Sequence, residues 1–123
     1  MRTLSSLAAL ATAALVVLPG TAHADSANLS ATVEPGAEAF LSPQLTPTAA
    51  YRGNVLVRLK GNSQPTEVKV NNCHGRSLGK VAIPAGDHAA YVAATESQVP
   101  ECVRLKIKNV GDAPVTVTGA SYF

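Results

Sequence analysis

The sequence predicts an all-β fold, a small antiparallel β-sandwich of jelly-roll type closed by one disulfide. Three observations carry this expectation. From residue 25 onward apolar residues recur with a period of two, as in Val55, Val57 and Leu59 and again in Val103, Leu105 and Ile107. Turn formers such as Pro35-Gly36, Gly61-Asn62-Ser63, Pro84-Ala85-Gly86 and Gly111-Asp112 separate these runs at short intervals. The chain has two cysteines, Cys73 and Cys102, and most of the strand pattern lies between or beside them.

Residues 1–24 read as a secretory signal peptide. Arg2 supplies the positive start, residues 4–18 are largely apolar, Pro19-Gly20 breaks the run, and Ala22-His23-Ala24 gives a small-x-small cleavage site. The apolar run is shorter than the ~18–20 residues of a membrane span, so the expected product is one secreted, extracellular domain covering residues 25–123. Export favours a Cys73–Cys102 disulfide. Closing such a loop restricts the unfolded chain by roughly 3–4 kcal/mol in the loop-entropy account. The formal net charge of +2 falls to about +1 without Arg2, a balance that argues against a nucleic-acid binder. The bias toward Ala, Gly, Pro and Val suits a GC-rich bacterial source.

Along residues 25–123, Leu29, Ala31 and Val33 alternate with small polar residues before Glu34-Pro35-Gly36 turns the chain. Residues 37–41 form a short apolar piece of undecided type, with Phe40 assigned to the core. Residues 42–50 form an open connection, since Pro43 and Pro47 lack the N–H that regular pairing needs. Residues 53–60 and 102–108 are the clearest strands, with Arg58 and Lys60, and Arg104, Lys106 and Lys108, opposite their apolar faces. Strands are also expected at 66–70, 78–83 and 113–119, with 71–75 a loop, 88–94 a strand or, given its alanines, a helix, and Ser121-Tyr122-Phe123 packed at the end. By strict alternation Cys102 falls on the charged side with Arg104, which calls for a later strand start or a bulge and puts the disulfide near the rim.

Two apparent chemical motifs fail on context. Gly75-Arg76-Ser77-Leu78-Gly79 matches the G-x-S-x-G nucleophile elbow, with Asp87 and His88 following in order. That elbow needs a strand-to-helix turn on a parallel sheet, whereas a strand is expected after Ser77, so no catalytic residue is assigned. Cys73, His74, Asp87 and His88 lack the close ligand pairing of a zinc site, and a disulfide would withdraw Cys73. No metal or cofactor is expected. The tyrosines and phenylalanines are expected to pack in the core or at its rim rather than to stack on sugars. If the strands at 53–60 and 102–108 are neighbours, Arg58, Lys60, Arg104, Lys106 and Lys108 would form one basic patch able to hold an anionic polymer.

The stretches NVLVRLKG, SLGKVAIPAGDH and CVRLKIKNVGDAPVTV, in that order, resemble the strand-and-turn grammar of jelly-roll carbohydrate-binding modules. The resemblance runs from Gly53 to the C-terminus and implies the fold. It carries over no binding residue, since the chain has no Trp and no acidic cluster suited to calcium. The expected function is a secreted, non-catalytic binding or interaction domain. Its partner is an extracellular ligand: an anionic wall polymer, a glycan or a protein surface. The alternative is a small secreted inhibitor of proteases or other hydrolases, with candidate loops at 42–50 and 95–101.

Overall fold

A computed structural model describes residues 25–47, 51 and 53–123 of the chain. The signal peptide read at residues 1–24 lies outside the described residues, as do positions 48–50 of the open connection. Eight strands are described: β1 (Ser26–Val33), β2 (Glu38–Phe40), β3 (Asn54–Leu59), β4 (Thr66–Asn72), β5 (Ser77–Ile83), β6 (Ala90–Thr95), β7 (Val103–Asn109) and β8 (Val115–Tyr122). They form two four-stranded sheets of order β1-β8-β3-β6 and β2-β7-β4-β5. All pairings are antiparallel. Apart from the β4–β5 hairpin, consecutive strands alternate between the two sheets, the double Greek-key arrangement of a jelly roll.

The core lies between the sheets and is built by period-two alternation. In β7, Val103, Leu105 and Ile107 are fully buried while Arg104, Lys106 and Lys108 point away. Val68 and Val70 on β4, Val55, Val57 and Leu59 on β3, and Val115 and Val117 on β8 complete most of the apolar filling. Fully burying a Val or Leu side chain contributes about 1.5–3 kcal/mol, so this valine-rich interior supplies the main driving force for folding. The residues that leave the core are outward by register, and that register therefore decides what each face of the sandwich presents.

Several expectations are refined. β7 begins at Val103, so Cys102 stands just before the strand and need not face either way. β4 runs to Asn72, two residues beyond the expected end, because the hairpin to β5 is tight. The Asn72 side-chain oxygen accepts hydrogen bonds from the backbone N–H groups of His74 and Arg76, each at 2.9 Å, and Gly75 supplies a φ of 87°. The disulfide joins this hairpin to the segment entering β7, with a Cα–Cα distance of 5.7 Å, at one end of the sandwich. The undecided piece at 37–41 contains strand β2. Phe40 is a correction: it is 46% exposed, because Ala39 takes the inward position opposite Ile107 and leaves Glu38 and Phe40 facing out.

The first and last described residues are tied together. Asp25 and Phe123 exchange backbone hydrogen bonds at 3.1 Å in both directions, and the Phe123 ring is buried. At the opposite end of β1, the fully buried Asn109 side chain donates to the carbonyls of Val33 (3.0 Å) and Ala113 (2.7 Å) and accepts from the N–H of Gly111 (2.9 Å). It fixes the β7–β8 turn against the end of β1.

Candidate anion-binding face

β3 and β7 belong to different sheets. The five basic residues therefore divide. Arg58 and Lys60 lie on the outside of the β1-β8-β3-β6 sheet, and Arg104, Lys106 and Lys108 on the outside of the β2-β7-β4-β5 sheet. The first pair has little company. Arg58 donates through Nε to the His88 carbonyl at 2.9 Å, which ties it to the loop before β6. The surface beside it carries small neutral groups, including a Thr32–Thr116 hydroxyl pair at 3.2 Å.

The β2-β7-β4-β5 face is different. Register places its outward residues in rows that cross the strands. In the middle row Phe40, Lys106, Lys69 and Lys80 stand opposite one another on successive strands. On one side runs a row of Glu38, Lys108, Glu67 and Ala82, and on the other a row of Arg104, Asn71 and Ser77. Neighbouring strands are about 4.8 Å apart, so three ammonium groups are attached to backbones at that spacing. Like charges directly opposite each other across a sheet are destabilising. The face holds Lys69, Lys80, Arg104, Lys106 and Lys108 against Glu38 and Glu67, a clear positive excess in a chain whose overall charge is nearly balanced.

The two carboxylates make the lysine row tolerable. Glu38 accepts from Lys69 Nζ at 2.7 Å and lies 3.9 Å from Lys106 Nζ, while Glu67 is 4.0 Å from Lys80. The hydrogen bond from Lys69 is the main reason the Glu38 carboxyl is held below the usual carboxylate range, with the charges of Lys69, Lys106 and Lys108 acting in the same sense and partial burial opposing them. The reciprocal bond raises Lys69 above the ordinary lysine value. Both groups are charged at neutral pH. Since they are largely solvent-accessible, the pairing supports the arrangement only modestly.

Phe40 is held under two cations. The Arg104 guanidinium sits 3.7 Å from its ring centroid and Lys106 Nζ 5.3 Å from it. A shallow depression beside the row is lined by Glu38, Lys69, Asn71, Ser77, Gly79, Lys80 and Lys106. A Cβ on Gly79 would collide with the Ala93 backbone, so glycine lets β5 approach β6 closely. The sequence alone does not single out Lys69, Lys80 and Glu38, and it assigns Phe40 to the core. The alternation marks Lys69 and Lys80 as outward, but nothing local shows that β4 and β5 lie beside β7.

No protein-family model matches the chain, and no curated protein matches it. Ser77 opens a strand and not the helix that a nucleophile elbow requires. Cys73 is bonded to Cys102, His74 lies 3.3 Å from Glu101, and Asp87 accepts hydrogen bonds from the Tyr91 hydroxyl and the Ala89 N–H. Among the described residues no group of three or more His, Cys, Asp or Glu side chains is placed to hold a metal ion, and no helix is long and apolar enough to cross a membrane.

Proposed function

We propose that the protein is a secreted, non-catalytic binding domain that holds an anionic partner on the outer face of the β2-β7-β4-β5 sheet. The observation that carries this reading is the row Lys106–Lys69–Lys80, three like charges paired in register where alternation would have allowed neutral residues. Glu38 and Glu67 offset part of the repulsion within this row, and an anionic partner on the surface would offset the rest. A surface of this kind raises the local concentration of anionic ligands. The leader-like residues 1–24 and the disulfide support export, and wall polymers, glycans and acidic protein surfaces are the anionic partners available there.

The test is retention on anionic cell-wall material as salt is raised. The wild-type protein elutes as ionic strength screens the face. Neutralising Lys69 and Lys106 together shifts elution to distinctly lower salt, whereas neutralising Arg58 and Lys60 on the other sheet changes it little. Equal retention of the Lys69/Lys106 variant and the wild type would contradict the reading.

The inhibitor reading keeps one supporting observation. The loop at 95–101 is braced by the disulfide at Cys102 and by the 2.8 Å Arg76–Glu96 ion pair, and it presents Val99 at 48% exposure. By contrast, the connection at 42–47 lies along β7, with Leu45 and Val103 exchanging backbone hydrogen bonds at 2.8 Å. Slowing of a secreted protease at near-stoichiometric ratio, lost on Val99→Asp, would favour this second reading.

A further inference from the structure

We infer that the anionic partner is a linear acidic polysaccharide, with a carboxylate on each sugar, which lies across the strands along the row Phe40–Lys106–Lys69–Lys80. The inference rests on the binding face proposed above and specifies its ligand and direction. The row is perpendicular to the strands, because its members are cross-strand partners in the register of β2, β7, β4 and β5. Its step is the interstrand spacing of about 4.8 Å, which is close to the advance per sugar along an extended pyranose chain. Carboxylates repeating along such a chain would thus take the place of Glu38 and Glu67, which partner the three lysines now.

Three further features favour a sugar backbone over a bare polyanion. Phe40, the fourth position of the row, is a half-exposed aromatic ring held in place by Arg104 and Lys106, and it offers an apolar edge or face to a sugar's C–H groups. Asn71 and Ser77 line the depression beside the lysines and supply neutral hydrogen-bonding groups suited to hydroxyls. Glu38 and Glu67 lie together on one flank of the row, with Asn71 and Ser77 on the other. Hydroxyls are thus accepted on one side, and carboxylates are kept on the line of the lysines by repulsion from the other.

The experiment is a titration of the purified protein with galacturonate oligomers from monomer to hexamer, with inorganic polyphosphate as the competing source of regular negative charge. Affinity is expected to rise with length up to the tetramer and then level off. Each of Lys69→Gln, Lys80→Gln and Lys106→Gln should weaken tetramer binding about fivefold, a factor in keeping with roughly one lysine–anion contact at a charged surface. Lys108→Gln, with the same charge change one row away, should have a distinctly smaller effect. Phe40→Ala should weaken the tetramer and leave polyphosphate unaffected. Equal losses from Lys80→Gln and Lys108→Gln, with no length threshold, would overturn the row while leaving the anion-binding face standing. Polyphosphate binding as tightly as the tetramer would overturn the polysaccharide. Binding of neither polymer by the wild-type protein would remove the face and the row together. Unchanged melting temperatures confirm that the variants report binding and not unfolding.

Discussion

At the residue scale, the most informative pair outside the proposed binding face is Asp87 and Tyr91. The Tyr91 hydroxyl donates to one carboxylate oxygen of Asp87, and the Ala89 N–H donates to the other at 2.7 Å. The Tyr91 bond is the largest cause holding the Asp87 carboxyl below its usual range, and the same bond raises the Tyr91 phenol. A depressed carboxyl contributes stability that is complete above its unfolded value and is lost as pH falls through its folded one. The raised phenol contributes below its ordinary value and loses that contribution as pH rises through the folded one. Tyr91→Phe is therefore expected to lower stability by a few tenths to about 1 kcal/mol at neutral pH. The gap between the two proteins should close as pH falls through the carboxylate range. Urea unfolding at a series of pH values checks this, and a gap independent of pH would mean that only packing was lost.

Residue identity also explains part of what the sequence hid. Phe40 looks like core by composition, but a three-residue strand sets its direction through Ala39, whose small side chain fits the inward position opposite Ile107. Leu56 misleads in the opposite sense. It lies outside the inward set of β3 by alternation, yet it is only 3% exposed, between Tyr122 and Val92 as its cross-strand partners on the outer face. Hydrophobicity marks burial, and burial can occur on either face of a sheet.

At the element scale, strands were legible because the core face needs an apolar residue at every second position and turns need Gly, Pro, Asn or Asp. That is why β3, β4, β5, β7 and β8 fall close to their expected places. Strand neighbours were not legible. Pairing β4 beside β7 joins segments more than thirty residues apart in the chain, and period-two patterns are interchangeable as partners. The basic residues of β3 and β7 could thus be recognised as outward but not as facing opposite ways. Asn109 shows the same limit for a loop. Its three side-chain hydrogen bonds join β1, β7 and the β7–β8 turn, and only its chain neighbours were visible in the sequence. Asn109→Ala leaves buried carbonyl and N–H groups unpaired and is expected to cost about 2–3 kcal/mol. A chemical-denaturation curve measures it, and a loss below about 0.5 kcal/mol, the range of ordinary surface changes, would show that the turn holds without the staple.

At the scale of the whole molecule, the sandwich separates two tasks. The valine-rich interior holds the two sheets together, the Cys73–Cys102 link ties the β4–β5 hairpin to the start of β7 within one of them, and neither draws on the outward residues. The outer faces are then free to differ: one carries small neutral groups with Arg58 and Lys60, the other a lysine row edged by two glutamates. Glu38 and Glu67 offset part of the repulsion within the lysine row, and in this account an anionic chain on that face offsets the rest. The central claim is thus a claim about which sheet binds. The most direct measurement is an amide chemical-shift map of the protein titrated with an acidic oligosaccharide. The account predicts that the perturbed amides cluster on β2, β7, β4 and β5 around Lys106, Lys69 and Lys80, and that those of β1, β8 and β3 stay still. Perturbations centred on Arg58, Lys60 and β8, or on the loop at 95–101, would contradict it.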